Sequence, residues 1–460
     1  MRERDRAFIR SHRAADPAMN DAISNAHGTD PALRDFGEKR LDVLQRRAFE
    51  YFLHQTHSVT GLVADKSQPG SDASIAAVGF ALACYPVGIE RGWITRADAI
   101  ERILTVLRFL RNSPQNATPD ATGYKGFYYH FLDMTTGRRA GRCELSTVDT
   151  GFLLAGMLTV AEFFDQDDEL EQEIRDLTNL LYQRVDWQWA CNGGATLTHG
   201  WKPESGFLTY RWEGYDEALL LYVLALGSPT HPLPAESYSA WASSYEWKTV
   251  DGYEYLYGGS LFIHQYSHCW LDLRGIKDAF MRDKGIDYFE NSRRATYAQR
   301  AYAIRNPLDF AGYGSDFWGL TASDGPGPIT RMIGGIERRF FDYVARGTPY
   351  GPDDGTIAPW AAAASLPFAP EIVLPSIRHL QDIYPQASGQ YRFRCSINPT
   401  YSIGSETDVP WISEYHFGIN LGPIVMMFEN FRSGLPWRLM RNSPHIRTGL
   451  QSADFTNGWM

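Results

Sequence analysis

Carboxylates gathered immediately ahead of apolar helical stretches are the residues in this sequence best suited to chemistry. Arg211-Trp212-Glu213-Gly214-Tyr215-Asp216-Glu217 runs straight into the apolar stretch Ala218 to Leu226. Cys143-Glu144-Leu145-Ser146-Thr147-Val148-Asp149 leads into Gly151-Phe152-Leu153-Leu154, and Asp353-Asp354-Gly355 leads into Thr356-Ile357-Ala358. Asp133 follows the aromatic segment Tyr128-Tyr129-His130-Phe131-Leu132. Two carboxyl groups across an aromatic-lined cleft suit glycoside hydrolysis, in which one protonates the leaving oxygen and the other activates water or attacks. The acid must hold its proton near neutral pH, which partial burial or a neighbouring carboxylate provides. Glu217 has such neighbours in Asp216 and Glu213, with Trp212 and Tyr215 around it. Each segment also has a plain structural use. Ser146 and Asp149 form a capping box, Asp216 and Glu217 suit the first turn of a helix, and Asp353-Asp354-Gly355 is turn chemistry.

Other chemistries find less support. His264 and His268 stand four residues apart on a predicted helix and so share a face. No Glu follows His264 and no third ligand is evident, which leaves a hydrogen-bonded core pair or a substrate-contact pair, and no metal. There is no G-x-S-x-G elbow, and Gly193-Gly194 and Gly334-Gly335 lack a phosphate-binding pattern. No DDxxD stands near the starts of the apolar helices, which disfavours a terpene cyclase. The five cysteines (Cys84, Cys143, Cys191, Cys269 and Cys395) are dispersed and form no CxxC pair. No cofactor is expected.

Composition narrows the class. The 460 residues carry a net charge of −10, so nucleic acid is not the expected partner. The longest apolar run, Ala218 to Leu226, is about half a bilayer span, and no membrane span is expected. The 13 Trp, 25 Tyr and 25 Phe are enough both for a large core and for a groove that takes flat amphipathic ligands such as sugars. Met1 to Asn20 holds arginines and no apolar run longer than Ala7-Phe8-Ile9, so no secretory signal is read. The chain as written is expected in the cytoplasm, or in the periplasm if its N-terminus has been trimmed. Oligomeric state is not legible.

Residues 1–36 are polar and without period, and read as a mobile tail ahead of one catalytic domain over 37–460. From there, helical patterns of two kinds alternate. Amphipathic stretches run over 38–56, 95–112, 168–185, 233–245, 287–304 and 371–385, the second opening with a capping box of Thr95 and Asp98. Stretches apolar on every face run over 72–87, 149–162, 216–227, 260–271, 355–365 and 419–430, and belong inside. The alternation predicts an all-α fold, an (α/α)6 barrel or toroid, with strands scarce apart from a hairpin near Gly126 to His130. The long links (113–148, 186–215, 246–259, 305–354 and 386–418) all arrive where inner helices begin, predicting a loop-walled cleft over the N-terminal ends of those helices.

The chain resembles the bacterial glucoamylase-like proteins that include glycoside hydrolase family 144. The resemblance lies in FYYHFLDMTTGRR (127–139), ELSTVDTGFLLAG (144–156), GWKPESGFLTYRWEGYDEALLLYVLALGSPTHP (200–232) and LFIHQYSHCWLDLRGIKD (261–278). It continues in DYFENSRRATYAQRAYAIRNP (287–307), WGLTASDGPG (318–327) and PYGPDDGTIAPWAAAASLPFAPE (349–371). It implies the (α/α)6 fold and action on β-1,2-glucan, as an inverting endo-glucanase. A transglycosylase or a sophorose-releasing exo enzyme on the same glucan is the alternative, and a non-catalytic carbohydrate-binding protein is the alternative of another class. The family's general acid falls on Glu217 of the W-x-G-Y-x-E-A motif, and other acids fall near Asp133, Glu144 and Asp149. Around these, Tyr128, Trp201, Trp212 and Trp318 are expected to stack on glucose rings. Arg211 and His264 are expected to contact hydroxyls, with His130, Tyr215, His268 and Asp354 also at the substrate. The region from Ser402 to His416 is unlike the family, and a loop there would set chain-end against internal cleavage.

Overall fold

The computed structural model describes residues 31–404 and 409–460, with side chains from residue 37 onward. Most of the expected tail, and residues 405–408 of the Ser402 to His416 region, lie outside the described residues. The twelve principal helices occur where the two kinds of pattern alternate. The outer ones are α1 (Pro31–His54), α3 (Arg96–Asn112), α5 (Glu169–Gln183), α7 (Ala235–Ala242), α9 (Tyr288–Arg305) and α11 (Pro370–Ile383). The inner ones are α2 (Ile75–Glu90), α4 (Thr147–Phe163), α6 (Leu219–Leu226), α8 (Tyr266–Trp270), α10 (Pro359–Ala364) and α12 (Gly418–Arg432). α1 starts at Pro31, inside the stretch expected to be tail.

The inner helices close a ring. α2 packs on α4, α4 on α6, α6 on α8, α10 on α12, and α12 on α2. Gln265 just ahead of α8 completes the circuit, its side-chain amide donating to Ala361 O of α10 at 2.6 Å. The first and last of the twelve helices meet at Glu429 of α12, whose buried carboxylate accepts both arms of Arg91 at 2.8 Å and Gln45 of α1 at 3.1 Å. Inner helices buried on all sides need no amphipathic stripe, because every face meets another helix. Their small residues let the backbones approach. An ideal Cβ on Gly156 of α4 would stand 2.1 Å from Gly79 O of α2, and one on Gly422 of α12 would stand 2.4 Å from the Phe80 ring.

Helix starts follow the side chains that cap them. Ser74 and Ser146 cap α2 and α4, each Oγ accepting from the amide three residues on at 3.3 Å, and Thr95 does the same for α3 at 3.1 Å. Two inner elements depart from expectation. α6 begins at Leu219, so Asp216 and Glu217 precede the helix and are not first-turn acids. The 260–271 stretch is a 3-10 turn, Leu261–His264, broken at Gln265 (φ −120°) before α8. His264 and His268 therefore do not share one helical face. Short helices at Leu435–Asn442 and Pro444–Ser452 follow α12, where no principal helix was expected.

Strands are short and gather in the long links. The largest sheet is antiparallel, in the order Gly123–Tyr124, Phe127–Tyr129, Leu145–Ser146, Gly200–Lys202 and Gly206–Phe207. Its first hairpin turns at Lys125 and Gly126, both at positive φ (57° and 84°), and overlaps the hairpin expected near Gly126 to His130. The sheet binds links 113–148 and 186–215 into one wall above α4. Among the described residues no helix is long and apolar enough to cross a membrane.

The α2–α4 contact yields a test. Gly156→Ala forces the two backbones apart and is expected to cost about 1–3 kcal/mol, read as a lower urea midpoint with an unchanged m-value.

Candidate active site

Antiparallel register assembles the first part of the site. Tyr129 pairs with Leu145, so the residues just beyond, His130 and Glu144, face one another, and the His130 amide donates to Glu144 O at 2.9 Å. His130 Nδ1 lies 2.8 Å from Glu144 Oε1, and its Nε2 lies 3.6 Å from Asp149 Oδ2 in the first turn of α4. Ser146 Oγ donates to the same Asp149 oxygen at 2.5 Å, so the serine that caps α4 also aims its acid. Burial by itself pulls the His130 pKa down, but Asp149, Glu144 and Asp65 outweigh it and push the imidazole up to about 9. His130 is therefore a fixed cation at neutral pH. Its hydrogen bond holds Glu144 down at about 2, against burial, so Glu144 stays ionised.

Glu217 faces this cluster from the loop entering α6. Its pKa stands well above the ordinary carboxylate range, because burial disfavours the anion and the charges of Asp216 and Asp149 add to it. Asp216 Oδ1 accepts from the Ala218 amide at 3.0 Å and from Trp241 Nε1 at 3.1 Å, which anchors it beside Glu217. Burial raises Asp216 as well. A carboxyl that holds its proton in a site where another, Glu144, is ionised is the division that acid-assisted bond cleavage needs.

A second wall was not legible in the sequence. Asp65 and Lys66, between α1 and α2, lie within charge reach of His130, Asp149 and Asp324. Asp324 accepts from Ser413 Oγ at 2.9 Å. Tyr343 lies within charge reach of Asp65, Asp324, Asp149 and Tyr266, and Tyr266 within that of Glu217. Asp65 sits in Leu62-Val63-Ala64-Asp65-Lys66, ahead of no recognisable motif, and only its place opposite α4 marks it.

The remaining predicted residues divide. Trp201 is half-buried on its strand, its ring 5.3 Å from that of Tyr124, and remains a candidate platform. Trp212 stacks on His199 at 3.8 Å and donates Nε1 to Thr147 Oγ1 at 2.9 Å, tying the Glu217 loop to the start of α4. Tyr128 and Trp318 are in the core, 1% and 0% exposed, and cannot stack on a sugar. Tyr215 packs inward against His264 and Tyr288. His264 and His268 are buried, bonded to Gly258 O and Ser292 Oγ at 3.0 Å, and burial pushes them down to about 4 and about 3, so both are neutral core residues. Arg211 donates to Cys191 O and Thr196 O at 3.0 and 2.5 Å, which makes it a loop tether. Asp354 is locked in a buried ion pair with Arg346, its two oxygens each 2.8 Å from a guanidinium nitrogen, and anchors a loop. Asp133 caps its own exposed turn by accepting from Thr135 and Thr136, and stays outside the cluster. In each case the side chain's partners are residues distant in sequence or a local turn, which residue type does not reveal. Among the described residues no three of His, Cys, Asp and Glu are grouped to hold a metal ion.

Known proteins resemble this architecture and sequence together. The family described as "Putative glucoamylase" matches residues 209–444. The exo β-1,2-glucooligosaccharide sophorohydrolase (non-reducing end) of Parabacteroides distasonis is 29% identical over 474 residues; the match covers 95% of this chain but only 61% of that protein's length. The crystal structure of a glucoamylase-family protein from Bacteroides uniformis is 30% identical with a TM-score of 0.82, covering 92% of this chain and 98% of that one. The endo-β-1,2-glucanase of Chitinophaga pinensis, solved with sophorotriose and glucose, is 28% identical with a TM-score of 0.80, covering 92% and 99%.

The charged histidine is testable directly. Glu144→Gln removes one of the anions that hold the imidazole proton, so the His130 titration is expected to move down from about 9, followed by NMR of the ring carbons. The linked stability has a definite sign. His130 titrates above its unfolded value of about 6.5, so its contribution is complete below that pH and is lost as pH rises through about 9.

Proposed function

Since this chain belongs to the glucoamylase-like family that includes glycoside hydrolase family 144, we propose that it hydrolyses β-1,2-linked glucan, cutting within the chain with inversion. The observation that carries this reading is Glu217, a carboxyl kept protonated by burial and by Asp216, within charge reach of Asp149 in the site that also holds the ionised Glu144. Glu217 gives its proton to the glycosidic oxygen as the bond to the anomeric carbon breaks, so the departing sugar leaves as an alcohol rather than an alkoxide. Asp149, Glu144 and His130 then form a polar floor, two carboxyl groups against one imidazolium, that orients sugar hydroxyls and water. Trp201 offers an apolar face to a glucose ring. Internal cleavage is supported by the match over nearly the full length of the Chitinophaga enzyme.

Incubation with linear β-1,2-glucan tests the reading. A ladder of oligosaccharides whose newborn ends appear first as the α-anomer in proton NMR is the expected result. Sophorose as the sole early product replaces internal by chain-end cleavage, and redistribution of chain length without net reducing ends replaces hydrolysis by transfer. Glu217→Gln is expected to lower kcat on the polymer by roughly 100- to 10,000-fold. Asp216→Asn removes a negative neighbour, which lowers the Glu217 pKa and moves the alkaline limb of kcat/KM to lower pH.

A further inference from the structure

The acids around the cleft differ in what already holds them. Glu144 takes a hydrogen bond from His130, Asp149 from Ser146, Asp216 from Ala218 and Trp241, and Asp324 from Ser413. Apart from the acid Glu217, Asp65 is the exception among them, for its carboxylate accepts no hydrogen bond from any described residue. Its backbone, by contrast, is fixed on both sides. The Asp65 amide donates to Asp72 O at 2.8 Å, and the Gly418 amide at the start of α12 donates to Asp65 O at 2.9 Å. The result is a carboxylate on an anchored backbone whose lone pairs take no hydrogen bond from the described residues.

We propose that Asp65 is the general base of the hydrolysis, taking a proton from the water that attacks the anomeric carbon while Glu217 protonates the departing oxygen. This rests on the reading of Glu217 as the acid. The balance is closed. One O–H bond of the water breaks as its oxygen bonds to the anomeric carbon, and the C–O bond breaks with its electrons moving to the leaving oxygen. That oxygen takes the Glu217 proton, and the two carboxyls then exchange protons with solvent. Glu144 and Asp149 are poorer bases. Glu144 is held down at about 2 by His130, and Asp149 is occupied by Ser146. The groups facing Asp65 are His130, Asp149, Asp324, Tyr343, Tyr51 and its neighbour Lys66. Burial dominates them and pushes Asp65 up to about 6, so it is ionised at neutral pH yet basic enough to accept a proton.

β-Sophorosyl fluoride separates the two roles, because fluoride leaves without a proton. Glu217→Gln is expected to retain turnover of the fluoride while losing the polymer. Asp65→Asn is expected to lose both by at least about 100-fold. Azide added to Asp65→Ala is expected to restore reaction and yield α-sophorosyl azide, which a merely structural role would not produce. The wild-type protein supplies a test that needs no variant. Its kcat/KM on the fluoride is expected to rise with pH to a plateau above about 6 with no alkaline fall. A flat profile between about pH 5 and 8, or Asp65→Asn turning over the fluoride at the wild-type rate, overturns the assignment and leaves the glucanase reading standing. Wild-type protein that releases nothing from linear β-1,2-glucan overturns both.

Discussion

At Gly79 and Gly156 the backbones of α2 and α4 approach so closely that a β-carbon on either glycine would overlap a carbonyl of the other helix, 2.3 and 2.1 Å away. That contact sets the spacing of the inner ring at the place where the site is built. Asp149 rides on the first turn of α4, and Asp65 lies just ahead of α2 on a segment clamped to α12. Were the helices a side chain further apart, the charges that interact through His130 would separate into independent surface acids. Packing at one level of the ring thus becomes electrostatics at the level above it.

The electrostatics follow from unequal burial and unequal partners. His130 is a cation among anions, and its presence lets Glu144 remain ionised in a half-buried cleft. Glu217 has no such cation and is flanked by Asp216, so the same burial leaves it protonated. Asp65 falls between these extremes, because His130 and Lys66 partly offset its desolvation. Side chains with the same carboxyl group are divided into a held anion, a protonated acid and a carboxylate without a hydrogen-bond donor by what surrounds them.

The fold was legible because its signal is periodic and repeated. Six stretches apolar on every face can only be buried, and their alternation with amphipathic stretches leaves few arrangements other than a ring within a ring. The deviations occur where local geometry overrides pattern. The apolar stretch over 260–271 breaks at Gln265, whose side chain spans to α10, and the 3-10 turn before it turns His264 away from His268. Of the site, the acids at inner-helix starts were legible because a helix start fixes both direction and depth. Asp65 was not, since nothing within its own segment distinguishes it from a surface aspartate.

The aromatic residues show the same division from the other side. Tyr128, Trp201, Trp212 and Trp318 have alike compositions of apolar face and polar handle, and residue type alone predicts a sugar platform for each. Only Trp201 remains half-open, while Tyr128 and Trp318 fill the core and Trp212 braces the Glu217 loop. The order of residues by itself determined the helices, their two layers, the face on which long links gather and the acid at the mouth of α6, because each depends on interactions within a short stretch or on a period along it. Tertiary structure alone decided which acids share His130, which arginine and aspartate are spent on anchoring loops, and that Asp65 comes within charge reach of Asp149. Burial and the coupling of Asp65 with His130, Asp149 and Asp324 belong to residues brought together by the closed ring, and no single segment contains them all.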